Sequence, residues 1–473
     1  MENLFGRTVI YTDYDVITKD NLLDIIQKAS ATHEKNSREI DYLFDYYKGN
    51  QPILDRTKEY NSGINNKIVE NRANEIVTFK VGYLMSSPIQ YINQTDDEYS
   101  EIVQTLNDYM RYEDKEAKDK ALVTWNTICG TAYRLILPDE NIENLMPDEA
   151  PFEIYTLDPR NTFVIYNSGL GERRLAGVTI LNTIDEKGDK KKKYVGYTET
   201  DMFEIVDNEI TVFTPHALGG VPIIEYPSNE ARLGAFEIVL PLLDSLNTLQ
   251  SNRVDGIEQL IQSILVLKGT DLTAEQFEEA KAMGGLKIPA DGDAFFISTV
   301  LNQTETQTLV NYVYDSILTI CGMPNRNGGS STSDTGQATF YRDGWQDAEG
   351  RASDSEGTFK SSEREFLKFA LRTTNSANTD APDLRISHIE IRFTRRNYEN
   401  IQMKSQVLIS MLNNEKIHPK LAFEHSGMFV DPELAYAMSE NYIDTNIDRE
   451  QKEINNFLET DIAEGKANVE EEV

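Results

Sequence analysis

Thirty-two consecutive positions, Phe236 to Leu267, set the hardest constraint on this 473-residue chain. Val239, Leu242, Leu243, Leu246, Leu249, Val254, Ile257, Leu260, Ile261 and Ile264 recur there at spacings of three and four, which places them on one broad face of a helix. At 1.5 Å per residue that helix would be roughly 48 Å long, with Pro241 opening or kinking it near the start. A second amphipathic helix is expected from about Glu305 to Cys321, with Leu309, Val310, Val313, Ile317 and Ile320 on its face; Gly322 and Pro324 end it. Between the two, Thr273 and Gln276 form a capping box for a helix to Met283, stopped by Gly284 and Gly285. Leu286 to Ile288 and Ala294 to Val300 then read as strands joined around Asp291-Gly292. The chain goes out along one helix and returns along another.

The flanking segments complete an α+β reading that is mainly α-helical. Lys19 to Met110 has a helical rhythm, with Leu22, Ile25, Ile26 and Ala29 and then Ile68, Ala73, Ile76, Val77, Val81 and Leu84, and Lys115 to Thr131 continues it. Tyr42, Phe44, Tyr46 and Tyr47 read as core. From about Pro151 the pattern turns to short strands: Phe152 to Tyr155, Thr162 to Tyr166, Leu175 to Leu181, Tyr194 to Thr198 and Met202 to Val206, an antiparallel subdomain. The run Lys190 to Lys193 is expected at one of its turns, as a solvated tip. Asn325 to Gly336 has the most flexible composition in the chain and reads as a mobile loop. After it, Ala338, Tyr341, Trp345, Ala348 and Ala352 keep a helical period that Gly344, Gly350 and Gly357 interrupt. Three internal glycines cost roughly 3 kcal/mol against alanine, which predicts a helix that is kinked or held by its neighbours. Ala381-Pro-Asp breaks the chain before a strand from Ile386 to Thr394. A helix from about Tyr398 to Leu412, shorter helices and a solvated acidic tail follow.

Charge narrows the functional classes. Lys plus Arg number 46 and Asp plus Glu 79, a formal balance of −33, too acidic for a surface that grips a phosphate backbone. Cys129 and Cys321 have no CxxC spacing, which fits a reducing compartment and buried thiols. Met1 to Ile10 lacks a basic start followed by an apolar run, and Ile257 to Leu267 is interrupted by Glu258, Gln259, Gln262 and Ser263. Neither a secretory signal nor a bilayer-spanning helix is therefore expected, and synthesis in a cytoplasm is.

The residues offer no catalytic constellation. The chain has no GxxxxGK[ST] loop, no HExxH and no GxSxG elbow. Of the histidines His33, His216, His388, His418 and His425, only the last pair could share a helix face, and Pro419 lies between them. Asp291-Gly292-Asp293 lacks the later ligands of a calcium loop and reads as a turn. Catalytic residues, metal ligands and cofactors are all expected to be absent.

The stretch Asn66 to Tyr91, with Tyr47-Lys-Gly-Asn-Gln-Pro-Ile53, Cys129-Gly-Thr-Ala-Tyr133, Gly220-Val-Pro-Ile-Ile-Glu-Tyr-Pro227 and Ser251-Asn-Arg-Val-Asp-Gly-Ile-Glu258, resembles portal proteins of tailed phages infecting Gram-positive bacteria. The resemblance covers most of the chain and is thinnest after about Asn400. Where that family often carries a glycine before the proline, this chain has Ser86 or Ser87. The resemblance implies a homo-oligomeric ring of about twelve subunits, or roughly thirteen in recombinant form, with wing, stem, clip and crown parts.

By that resemblance the wing spans 1–233, the first stem helix 234–268, the clip 269–302 and the second stem helix 303–324. The tunnel loop spans 325–336, a kinked wing helix and strand 337–397, and the crown with its acidic tail 398–473. Stem contacts between subunits would come from Leu246, Leu249, Arg253, Ile257 and Ile261. Partner docking on the clip would use Glu275, Glu278, Glu279, Lys281, Lys287, Asp291 and Asp293. The loop would present Asn325, Arg326, Asn327, Gly328, Gly329, Ser330, Ser331, Thr332, Ser333 and Asp334 to DNA; Arg326, its one cation, could touch phosphate or pair with a neighbouring subunit. The implied partners are double-stranded DNA, the terminase large subunit, a head-completion or adaptor protein, and the major capsid and scaffolding proteins, with no membrane. The implied place is the portal vertex of the virion, after assembly in the bacterial cytoplasm.

Helix size agrees with a conduit. About twelve helices of roughly 10 Å diameter standing side by side leave a bore near 28 Å, enough for a duplex. About twelve such chains would carry roughly −400 formal charges, which repels phosphates instead of holding them. The competing reading is another structural assembly protein, a scaffold or connector without a channel. The order helix, insert, helix, flexible loop argues against it.

Overall fold

The computed structural model describes residues 6–443 apart from 60–61, 96–98, 140–145, 147–148, 185–189, 262–263, 269–272, 274, 276–292, 298–302, 326–343, 378–381, 396–400, 430–431 and 433–434. Strand β1 (Ile10–Thr12) precedes helix α1 (Leu22–Lys48). Helix α2 (Arg72–Leu84) starts after Asn71, whose Oδ1 accepts the Asn74 amide at 3.2 Å. Strand β2 (Gln90–Asn93) and helices α3 (Ser100–Tyr112) and α4 (Lys115–Cys129) follow. Next come β3 (Thr131–Pro138), β4 (Phe152–Leu157), β5 (Thr162–Asn167) and β6 (Arg174–Ile184). β7 (Lys190–Thr198), β8 (Asp201–Val206), β9 (Glu209–Pro215) and β10 (Ile223–Pro227) complete the strand-rich part. Helix α5 (Leu240–Ile261) leads to β11 (Ile264–Lys268), β12 (Asp293–Ile297) and helix α6 (Gln303–Cys321). Helix α7 (Trp345–Ala377), β13 (Ile389–Arg392), α8 (Ile401–Leu412) and α9 (Pro419–Ser426) come next, and residues 435–443 are also helical.

The chain divides into two compact units, residues 1–329 with 341–393, and residues 330–340 with 394–473. In the first, a sheet runs in the order β1-β5-β6-β7-β8-β9, a second in the order β10-β3-β4, and β13 pairs with β2. Helix α1 serves two cores. Its first turns lay Leu22, Ile25, Ile26 and Ala29 on Phe163, Ile165, Val178 and Phe203 of the larger sheet. Its last turns lay Ile40, Leu43 and Tyr46 against α2, α5 and α6. A third core gathers Leu106, Leu122, Ile136, Ile154 and Tyr226 around Phe359, Phe366 and Ala370 of α7. In the second unit, Ala422 and Phe423 of α9 are buried, and Lys404 Nζ of α8 donates to the Gly427 carbonyl at 3.0 Å.

Two turns show local chemistry at work. Asp207 and Asn208, at φ 51° and 69°, make the two-residue turn between β8 and β9, the left-handed geometry that these residue types tolerate best. Gly130 joins α4 to β3 at φ 81°, and a Cβ there would sit 2.0 Å from the Arg232 carbonyl oxygen. Only glycine lets these two backbones cross.

The structure corrects several expectations. The long helix ends at Ile261, and Ile264–Lys268 is a strand paired antiparallel with Asp293–Ile297. A short apolar run such as Ile264-Leu-Val-Leu267 satisfies either period, so its partner decides. The insert strand that begins at Asp293 pairs with Ile264–Lys268; residues 286–288 lie outside the described residues, as does most of the Thr273 to Met283 helix. The larger sheet is not wholly antiparallel, because the N-terminal β1 pairs parallel with β5. Lys190 to Lys193 begins β7, opposite Leu181 to Ile184, and so belongs to a strand next to the 185–189 connection instead of forming a turn itself; Lys191 pairs with Asp207 of the β8–β9 turn and Lys193 with Glu204 of β8. Residues 64–71 are not helical, and Gln90–Asn93 is a strand in a stretch expected to be helical.

Helix α7 is one uninterrupted helix through Gly350 and Gly357, so no glycine break appears there; residues 338–343 lie outside the described residues. A Cβ at either glycine meets nothing within 4 Å. Gly350→Ala and Gly357→Ala are therefore each expected to raise the unfolding free energy by up to about 1 kcal/mol in urea denaturation. A loss at both sites would mean that this stretch must leave helical geometry.

Candidate functional site

Helices α5 and α6 form the column that the sequence pattern singled out, and three kinds of contact fix it. Leu243 and Leu246 of α5 and Val310, Val313 and Ile317 of α6 enter one core with Ile40, Leu43, Ile76 and Val77. Arg253 Nη1 donates to Gln307 Oε1 at 2.7 Å across the pair. At the column's base, Tyr46 stacks on Phe236 and donates to Asp244 Oδ1 at 2.8 Å. Burial there raises the Asp244 carboxyl above its ordinary range, and the Tyr46 hydroxyl holds it back.

The polar side of α5 carries a ladder that the sequence reading missed. Asn247, Ser251 and Asp255 stand one helical turn apart and are buried. Asn247 Oδ1 accepts the Glu70 amide at 2.8 Å, Ser251 Oγ the Ile68 amide at 3.0 Å, and Asp255 Oδ1 the Asn66 amide at 2.8 Å. Four residues of helix advance about 6.0 Å and two residues of extended chain about 6.6 Å, so every fourth side chain meets every second amide. This match docks residues 66–70 on α5 in a non-helical conformation, against their apolar rhythm. Asp255 also takes Arg56, at 3.1 Å, and Lys58. Burial pushes its carboxyl up, but Lys58 and the two Asn66 donors outweigh that and leave it below the ordinary value. The only sequence signal was polar residues at i, i+4 and i+8 in a helix otherwise read for its leucines.

On α6, Leu309, Tyr312 and Ile320 face outward, 47%, 70% and 40% exposed, and Ile257 of α5 is 42% exposed. Of the residues read as stem contacts, Ile257 is open to a neighbour, while Leu249 is partly buried and Arg253 is engaged by Gln307. Leu246 is corrected: it is fully buried in the subunit's own core, because its face meets α1 and α6, so no surface remains for a second subunit. Ile261 closes α5, and nothing is described of its side chain.

Glu275 is exposed in a helical position, Asp293 opens β12 opposite Lys268, and Glu278, Glu279, Lys281, Lys287 and Asp291 lie outside the described residues. Asn325 Nδ2 donates to Asp315 Oδ1 at 3.2 Å. Arg326, Asn327, Gly328, Gly329, Ser330, Ser331, Thr332, Ser333 and Asp334 lie outside the described residues.

A second missed feature is a buried charge cluster behind α7. Lys115 Nζ lies 2.7 Å from Asp119 and 2.8 Å from Glu363; Arg134 bonds Asp119 and lies 3.4 Å from Glu363. Tyr91 and Tyr226 donate to the same Glu363 carboxylate at 2.6 and 2.7 Å. Burial raises the Glu363 carboxyl, but the Lys115 and Arg134 charges win and bring it down to about 2.

Neither cysteine is activated. Burial pushes the Cys129 thiol up to about 12 and the Cys321 thiol to about 11. Among the described residues no cluster of His, Cys, Asp or Glu could hold a metal ion, and His418 instead caps α9 by accepting the Lys420 amide. No described helix is long and apolar enough to cross a membrane. The arrangement holds a helix pair on one side and leaves apolar side chains exposed on the other.

Residues 26–459 match the family model described as "Phage portal protein, SPP1 Gp6-like". No curated protein matches the chain. Among solved structures it is similar, at 11% identity and a TM-score of 0.46, to a chain of "Neck of empty GTA particle computed with C6 symmetry", over 75% of this chain and 90% of that one. It is also similar, at 12% identity and a TM-score of 0.43, to a chain of "Virion of native gene transfer agent (GTA) particle", over 75% of this chain and 89% of that one.

Proposed function

Because this chain belongs to the SPP1 Gp6-like family of phage portal proteins, we propose that it is one subunit of a ring set in a capsid vertex, through which double-stranded DNA is packaged and later released. The observation that carries this reading is the family match over residues 26–459 on a chain whose α5, insert and α6 run out and back. In this reading α5 and α6 are the stem. The β11–β12 ribbon and residues 269–302 are the clip, where the terminase large subunit docks and a head-completion protein later replaces it. Residues 325–336 are the loop that meets DNA, residues 1–233 with α7 build the wing, and residues from about 398 build the crown, in contact with capsid and scaffolding proteins.

The role is passive. The portal family is structural, and the motor that hydrolyses nucleotide is the partner. With a balance of −33 per subunit, a ring of such chains would repel phosphates instead of gripping them, which suits a conduit.

The stripe Leu309, Tyr312 and Ile320, with Ile257, is the surface that meets the next copy, since exposed apolar side chains aligned on one helix face gain most by mutual burial. End-on electron micrographs of the purified protein should show rings with a central hole. Tyr312→Asp should leave the subunit's thermal unfolding unchanged and raise the concentration needed for rings at least about tenfold, the effect of losing an interface anchor. A wild-type protein that stays a compact monomer at high concentration and beside its assembly partners would overturn the reading.

A further inference from the structure

Three helices meet where α6 ends and α7 begins. A Cβ on Gly344, the residue before α7, would lie 3.8 Å from the Met323 carbonyl oxygen and from Pro324 Cα, so the chain on either side of residues 326–343 starts and returns at one place. Trp345, the first residue of α7, packs its ring 6.0 Å from Phe79 and 6.1 Å from Tyr83 of α2, which are stacked on each other at 5.7 Å. Tyr83 Oη donates to Glu349 Oε2 at 2.7 Å, one turn further along α7. Arg351 spans to α6: its Nη1 donates to the Ile320 carbonyl at 2.8 Å, and its Nε lies 3.3 Å from Asp347. The Arg351 side chain lies across Gly322, at φ 63°, where a Cβ would fall 2.2 Å from Arg351 Cδ. A cation at the carbonyl end of α6 also meets that helix's negative pole.

We propose that Trp345, seated on the Phe79–Tyr83 pair, and Arg351, laid across Gly322, are positioning residues: Trp345 holds the start of α7 on α2 and Arg351 ties the end of α6 to α7, so that α2 and α7 together set where the 326–343 connection begins and ends. Two aromatic contacts, one neutral-to-charged hydrogen bond and one charged helix cap converge within seven residues of α7. Phe79 also packs against the α5–α6 core, but Trp345, Tyr83, Glu349 and Arg351 are outside that core and outside the Glu363 cluster, so changing them need not unfold either. The inference rests on the reading of residues 325–336 as the DNA-facing loop.

The test uses full-length protein assembled into rings and particles, with Trp345→Ala, Trp345→Phe, Tyr83→Phe and a deletion of 328–334. Hydrogen exchange of the α7 amides 346–351 should rise about fivefold in Tyr83→Phe, the loss of one hydrogen bond, and further in Trp345→Ala. Ring formation should be kept. Particles with Trp345→Ala should retain less DNA than wild type at equal ring content, with retention restored by Trp345→Phe. If the deletion impairs retention while Trp345→Ala, folded and ring-forming, does not, the latch is overturned and the loop reading stands. If the deletion itself changes nothing, the loop reading fails. Should Trp345→Ala not fold, unchanged exchange and retention in Tyr83→Phe would overturn the latch.

Discussion

Replacing Glu363 by alanine is expected to lower the unfolding free energy of the subunit by about 3–5 kcal/mol. Two cations, Lys115 and Arg134, and two carboxylates, Asp119 and Glu363, share a site whose side chains are between 0% and 5% exposed. Without Glu363, two buried cations face one carboxylate, and the Tyr91 and Tyr226 hydroxyls lose their acceptor. Unpaired buried charge costs more than the pair contributed, which is why removing one member is worse than never having built the cluster. Urea unfolding followed by the fluorescence of Trp125 and Trp345 measures the change. A loss below about 1 kcal/mol would mean that water reaches the cluster.

The same group gives a pH dependence with a definite sign. The Glu363 carboxyl is held at about 2, below its ordinary 4.5, so its contribution is complete above pH 4.5 and is lost as pH falls toward 2. His33, buried against Phe163 with Nε2 3.0 Å from the Arg160 carbonyl, is pushed by burial from 6.5 to about 4. It stays neutral in the fold and charges more readily when unfolded, so stability falls between pH 6.5 and 4 as well. Both slopes run the same way, and acid should lower the stability in two overlapping stages. In Glu363→Ala only the stage above pH 4.5 should remain.

Asp255→Ala is expected to cost about 1.5–3 kcal/mol, less than the Glu363 change. Asp255 accepts from the Asn66 amide and side chain and pairs with Arg56 and Lys58. The two cations are 16% and 20% exposed and can turn to water once released, so they are not stranded. The Asn66 amide loses its partner outright. Hydrogen exchange should show Asn66 opening most, Ile68 less and Glu70 least, because Ser251 and Asn247 still hold the latter two. Equal protection of Asn66 in variant and wild type would exclude the ladder as what docks residues 64–71 on α5.

Much of the fold could be read from local pattern. The period of Leu243 and Leu246, and of Val310, Val313 and Ile317, placed both column helices, and Gly322 and Pro324 ended the second where the structure ends it. Periodicity is a property of neighbours along the chain, so it survives whatever the rest of the molecule does. The candidate site was legible only in outline. Leu246 was read as facing a second subunit because the pattern says which residues share a face, not which body covers that face.

The amino-acid order by itself determined the out-and-back helix pair, the strand-rich middle and the charge of −33. Tertiary structure decided the rest. Ile264–Lys268 became a strand because Asp293–Ile297 is there to receive its hydrogen bonds, and Lys190 to Lys193 joined a strand because acids on β8 and in the β8–β9 turn stand opposite. Helix α7 runs through two glycines because Phe359, Phe366 and Glu363 tie it to distant strands and helices. Lys115 and Glu363 lie 2.8 Å apart in space and far apart in the chain. Hydrogen bonds and ion pairs depend on distance in space, which the folded backbone sets and which a one-dimensional pattern does not carry.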